Sequence, residues 1–133
     1  MNRLYPATIE LMRDGYLPWQ YQDARMLFVS GEYYFSDDHE FLQDIPALAR
    51  LADQDIAGER MSGDAAQGDT VTFDGVVSAT PVEAIVIYIK QGGDSTSRLV
   101  AFYDTVDGLP LVLDGQDYFV SMDHVFGGFF KLQ

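Results

Sequence analysis

The chain contains no cysteine among its 133 residues. Disulfides and thiolate metal sites are therefore excluded, and the redox compartment cannot be read. Positive charge is scarce: 8 Lys and Arg stand against 21 Asp and Glu, a formal net charge of −13. Binding a phosphate backbone needs a Lys/Arg footprint, so the composition argues against nucleic acid. An anionic membrane surface is disfavoured for the same reason. No apolar run approaches the ~18 residues of a spanning helix. No basic segment leading into an apolar one marks a signal peptide, so the unprocessed chain is expected in the cytoplasm when made. No internal repeat is visible.

Catalytic sets are missing as well. No serine sits in a Gly-x-Ser-x-Gly elbow. No phosphate-cradling glycine loop leads into Lys-Ser/Thr, and Gly92-Gly93 precedes Asp94, which repels phosphate. The only histidines are His39 and His124. His39 lies in Asp37-Asp38-His39-Glu40, which offers nitrogen and oxygen ligands, but adjacent ligands in an acidic turn are common in solvated loops. Asp53, Asp55 and Glu59 have loop-like spacing without the glycine-and-glutamate frame of an EF-hand. Paired carboxylates are expected by chance among 21 acids. No catalytic residue, metal site or cofactor is assigned, and the expectation is a protein that is not an enzyme.

What is abundant is apolar and aromatic. Hydrophobic residues make up 47% and aromatic ones 14%, which excludes wholesale disorder. The length fits one domain that buries somewhat over ~60% of its unfolded surface. The 8 Tyr and 9 Phe suit a sheet core, and they equally suit protein–protein interfaces. The acidic excess serves solubility, or it steers the chain toward a basic partner surface.

The last third reads as closely spaced strands at Glu83–Lys90, Ser97–Thr105, Leu109–Leu113, Asp117–Met122 and Gly127–Leu132. Turn residues separate them: Gly92-Gly93-Asp94, Asp107-Gly108, Asp114-Gly115 and Gly127-Gly128. Short β-branched and aromatic runs with Gly/Asp punctuation signal an antiparallel sheet. Ala84–Ile89 is apolar on both faces and reads as a central strand. Ser97–Thr105 is its hairpin partner, and strict alternation places Leu99, Ala101 and Tyr103 on one face and Val100, Phe102 and Asp104 on the other. Arg98 and Asp104 mark the ends of that strand, either capping it in solvent or forming an ion pair. Asp114-Gly115-Gln116-Asp117 reads as a hairpin turn.

Upstream, Pro6–Asp14 reads as a helix with Pro6 in its first turn and Gly15 beyond its end. Pro18 bars its continuation. Ala24–Ser30 reads as a buried strand closed by Gly31. Ser36 and Asp37 are cap candidates for a helical turn at Asp38–Leu42. Leu48–Ala52 reads as a second short helix. Asp53–Asp69 reads as a partly mobile polar loop with an edge strand near Glu59–Met61. Thr70–Phe73 reads as a strand, and Asp74-Gly75 as a turn.

The wording of these elements resembles small tailed-bacteriophage virion structural proteins. Tyr5–Gly15 followed by Trp19 resembles the opening helix and aromatic stop of that group. Ala24–Val29, Tyr34-Phe35 and Asp38-His39-Glu40-Phe41-Leu42-Gln43-Asp44-Ile45 resemble its next strand and loop, where a His-x-Phe-Leu-x-Asp-Ile phrase recurs. Ile85–Ile89, Thr96–Asp104, Gly108-Leu109-Pro110 and Phe129–Leu132 complete the order. The chain departs from the pattern in its acidity and in low Thr/Val content around residues 53–69.

The expected fold is mainly β: a compact antiparallel β-sandwich or barrel of six to eight strands, with one or two short N-terminal helices, over residues 1–133. The resemblance implies a virion location. It implies a capsid decoration (cement) protein, with a head–tail connector or tail component as the alternative. A host-attachment or saccharide-binding module is the reading from another class. Implied partners are the major capsid protein or other virion proteins, with homo-oligomers on the particle and neither nucleic acid nor membrane. The N-terminal segment, residues 1–19, is the candidate docking arm through Leu4, Tyr5, Tyr16, Leu17 and Trp19. Tyr33, Tyr34 and Phe35 form a second aromatic candidate for partner binding.

Overall fold

The computed structural model describes residues 2–121 and 129–131. His124, Met122 and half of the strand read at Gly127–Leu132 fall outside the described residues. In chain order the strands are β1 (Arg3–Leu4), β2 (Ala24–Val29), β3 (Arg50–Asp55), β4 (Arg60–Ser62), β5 (Ala65–Gln67), β6 (Val71–Phe73), β7 (Ala84–Ile89), β8 (Arg98–Tyr103), β9 (Tyr118–Val120) and β10 (Phe130–Lys131). The helix α1 (Pro6–Arg13) follows β1, and short 3-10 turns stand at Trp19–Tyr21, Leu42–Asp44 and Ala47–Ala49. The chain is mainly β, as its sequence pattern implies, and every strand pairing is antiparallel.

A five-stranded sheet in the order β1-β8-β7-β2-β3 is the centre of the molecule. The run Ala84–Ile89 is buried along its whole length because both faces of this sheet are covered. On one face Met26, Phe28, Ile85, Ile87 and Ile89 pack with α1 and with two small sheets, β4-β5-β10 and β6-β9. The rings of Phe28 and Phe73 stack there at 3.8 Å between centroids. On the other face Leu27, Val29, Val86, Tyr88, Leu99 and Phe102 pack under Tyr33, Leu42, Ile45 and Ala49. That cover is a strap of irregular chain, residues 30–49, rather than a second sheet.

Several local expectations are corrected. Residues 50–52 are not helical: the turn at Ala47–Ala49 is one 3-10 turn, and Arg50 begins β3, which pairs with β2. A central strand needs a neighbour on each edge, and that tertiary demand outweighs the helical propensity of Leu-Ala-Arg-Leu-Ala. The polar stretch 53–69 is not a loop. It holds the end of β3 and the β4–β5 hairpin, whose turn uses Gly63 at φ 63°. The signal was weak because the inward residues of β5 are small, Ala65 and Ala66. Leu109–Leu113 makes only isolated bridges, Val82 to Leu111 and Val77 to Asp114. The Asp114-Gly115 turn exists, with Gly115 at φ 92°, but it does not join a hairpin, because β9 leaves to pair with β6. The helical turn expected at Asp38–Leu42 sits later, at Leu42–Asp44.

Strict alternation fails in β8. Ile87 faces Ala101 while Tyr88 faces Leu99, so Val100 is the extra residue of a β-bulge. Leu99 and Phe102 therefore share one core, and Val100, Ala101 and Tyr103 share the other.

Candidate functional site

The eight residues singled out for partner binding separate into buried, half-buried and exposed side chains. Tyr5 and Trp19 are fully buried, and Leu17 is nearly so. Trp19 donates from Nε1 to the Gln67 carbonyl at 2.9 Å and meets Phe130 edge-on at 5.1 Å. Leu4 pairs with Ala101 in the central sheet, and the Tyr5 amide donates to the Val100 carbonyl. Ile9 and Met12 of α1 belong to the same core as Ile87. The segment 1–19, expected as a docking arm that precedes the sheet, is thus packed into the body. Its apolar residues face inward because β8 needs an edge partner and the sheet face below it needs cover. Tyr16 alone of this group is open to solvent, 74% exposed.

Tyr33, Tyr34 and Phe35 line one groove, and Tyr5, between β1 and α1, packs beside Tyr33 and Phe35. The Tyr5 and Tyr33 hydroxyls are 2.7 Å apart, and the Tyr33 hydroxyl lies 2.9 Å from His39 Nδ1. Phe35 packs on Tyr5 at 4.8 Å and on Phe102 at 5.5 Å. Burial pushes the Tyr33 phenol up to about 12, with Asp44 adding in the same direction and the Tyr5 hydrogen bond opposing. Burial raises Tyr5 further, and the neighbouring Tyr33 adds to it. Both rings therefore stay protonated and hold the strap. Tyr34 is 80% exposed.

These residues line a groove of about 600 Å³ together with Arg3, Asp37, Glu83 and Asp104. Arg3 reaches into it, its guanidinium 5.1 Å from the centre of the Phe35 ring and 2.9 Å from Asp37 Oδ1. Its lining holds four aromatic residues and three carboxylates against one arginine.

A second cleft, of about 340 Å³, lies where β3 meets the Gly92–Ser97 connection. Arg50 dominates it and was missed as a helix residue. Its Nε and Nη2 donate to the Ile45 carbonyl at 3.1 and 2.7 Å, Nη2 also reaches the Leu42 carbonyl at 2.8 Å, and Nη1 pairs with Asp94 at 2.8 Å. The guanidinium is spent on the protein itself and is a clamp. Beside it the Tyr88 hydroxyl donates to Asp53 at 2.7 Å, and burial, followed by that bond, raises the Tyr88 phenol.

A third, apolar groove lies between Phe28, Ile85 and the segment 106–121, with Phe119 on its rim. Phe119, Val77 and Val112 are all strongly exposed in this part of the chain. His39 is held by Tyr33, and among the described residues no three His, Asp or Glu side chains converge as metal ligands. The charged ends of β8 resolve differently from one another: Arg98 lies over the Phe41 ring at 4.8 Å, and Asp104 accepts from the Thr105 hydroxyl at 3.0 Å. Comparison with protein-family models and with curated proteins finds no match to this chain.

Proposed function

We propose that this protein is a non-catalytic structural component of a tailed-phage particle, a decoration protein that docks on the head shell. The observation that carries the reading is a division of labour among its apolar residues. The core is closed on both faces of the central sheet, yet Tyr16, Tyr21, Tyr34, Leu48, Val77, Val112 and Phe119 remain on the surface. Large apolar groups left outside a complete core suit contact with another protein. The body supports a lattice role. The free side of β8 is occupied by β1 and by the strap, through Leu99 N–H to Glu40 and Leu42 N–H to Ser97. Covered edges protect a crowded subunit from edge-to-edge aggregation.

The segments that resemble phage virion proteins are the framing ones. Asp38–Ile45 is the sealing strap, and Thr96–Asp104 contains β8. Packaged DNA strains a shell outward, and a protein bridging neighbouring capsomers adds buried area at many equivalent places. The reading is tested on purified particles with and without the gene. Many copies per head, and heads that rupture at lower temperature without them, are the expected result. Recovery only with tails, or at a few copies, points instead to a connector or tail component. Absence from particles overturns the reading.

A further inference from the structure

The groove beside Tyr34 carries a more specific message than the other exposed surfaces, because part of it is already in use. Arg3 lies over the Phe35 ring and pairs with Asp37 inside this groove. An aromatic face with a carboxylate beside it is a general receptor for guanidinium and ammonium groups. A second aromatic residue and a second carboxylate, Tyr34 and Glu83, line the same groove. Tyr34 is 80% exposed and has no hydrogen-bond or ring partner among the described residues. Glu83 is exposed on the same wall, lies against Gly31 with its Cγ 3.3 Å from where a Cβ would stand, and forms no ion pair among the described residues. The wall is rigid: Glu83 sits one residue before β7, its amide donating to Val29, and Tyr34 follows the buried, hydrogen-bonded Tyr33. Asp104 adds negative charge to the same groove, and the whole chain carries −13.

We propose that this groove binds an arginine or lysine side chain of a partner protein, with the cation against the Tyr34 ring and the Glu83 carboxylate. Charge complementarity selects this occupant. A neutral sugar would use the ring but would gain little from three carboxylates, and an acidic segment would be repelled. The chemistry requires only a basic segment on the partner, so it stands apart from the particle reading: peptide binding to the free protein tests the groove, and occupancy on particles tests the location.

The experiment is an amide-resolved NMR titration of the full chain with the acetylated, amidated tripeptides Gly-Arg-Gly, Gly-Lys-Gly and Gly-Glu-Gly, and with maltotriose. Shifts confined to Gly31, Tyr34, Asp37, Glu83 and Asp104 with the two basic peptides, fading as salt is added, are expected. Glu83→Gln and Tyr34→Ala should each weaken binding roughly fivefold, while Tyr16→Ala leaves it unchanged. Unchanged spectra elsewhere and an unchanged melting temperature show that the variants fold. No response to the basic peptides, an equal response to Gly-Glu-Gly, or a response to maltotriose alone overturns the proposal.

Discussion

The hydroxyl of Tyr33 is the joint of the strap, with Tyr5 on one side and His39 on the other. Replacing it by Phe leaves the fully buried Tyr5 hydroxyl without this partner, and a buried polar group stripped of its bond costs about 1–3 kcal/mol. Tyr33→Phe is expected to lose that much in urea unfolding, whereas Tyr34→Phe on the surface stays within about 0.5 kcal/mol. The opposite outcome would mean that the strap is held by packing alone. The same burial sets the alkaline limit of the fold. Tyr5, Tyr33, Tyr88 and Tyr103 all have phenols raised by burial. A raised phenol keeps its proton in the folded chain and loses it near pH ~10 in the unfolded one. Its contribution is complete below that pH and declines as pH rises; for Tyr33 the decline runs up to about 12. Each such group steepens the loss by up to ~1.4 kcal/mol per pH unit. Phenolate absorbance followed together with unfolding should show these four buried tyrosines titrating above the ordinary phenol range. Phenolate signal from all eight tyrosines within that range, in a chain that remains folded, would refute this.

At the scale of elements, β7 and the strap depend on different kinds of contact. Ile87 is fully buried between Met26 and Ala101 in the sheet, and Ile87→Ala should cost roughly 2–5 kcal/mol. A loss under about 1 kcal/mol would place β7 at an exposed edge. The strap depends on Arg50, which joins Leu42, Ile45 and Asp94. Arg50→Ala should cost about 2–3 kcal/mol and speed hydrogen exchange at the Leu99 and Leu42 amides, which the strap protects. Lysine should not restore it, because one ammonium cannot reproduce a planar fork shared among two carbonyls and a carboxylate. Asp94→Asn removes only the exposed partner and should cost under about 1 kcal/mol. If Arg50→Lys matches the native stability, the clamp is a simple charge. These elements also show what was readable beforehand. Ala84–Ile89 announces itself by an unbroken apolar run and Ala24–Val29 by one interrupted only at Arg25, and the two faces of β7 divide as alternation requires. Arg50 could not be read, because its role depends on carbonyls of a strap whose path is set by tertiary packing. The bulge at Val100 is invisible for a related reason: it is a property of pairing with β7, and Leu-Val-Ala-Phe alternates equally well without it.

At the scale of the molecule, the sequence revealed which side chains are apolar but not which way the N-terminal ones face. Tyr5, Leu17 and Trp19 look like an adhesive arm until β1 and α1 are laid against the central sheet. Tyr34 and Tyr16, by contrast, stay on the surface. The arm's incorporation sets an expectation: deleting residues 1–19 should unfold the chain, since it removes Trp19 from the core and β1 from the edge of β8. A truncated chain with native circular dichroism would restore the arm. Charge acts on the molecule as a whole, and salt should act on it twice, with opposite signs. A body at −13 repels itself, so added salt should raise the stability of the free protein by screening. The same charge should speed encounter with a basic surface, so if the protein docks on a phage head as proposed, its association with heads lacking it should slow as salt rises and the Debye length falls below about 8 Å. Apolar contacts from groups such as Phe119 are not screened, so dissociation should change little over that range. Stopped-flow association and dissociation at low and high salt separate the two terms. A salt-independent association rate would leave the charge with solubility as its only role, and rapid release at moderate salt would mean that ion pairs, rather than the exposed apolar residues, hold the docked state.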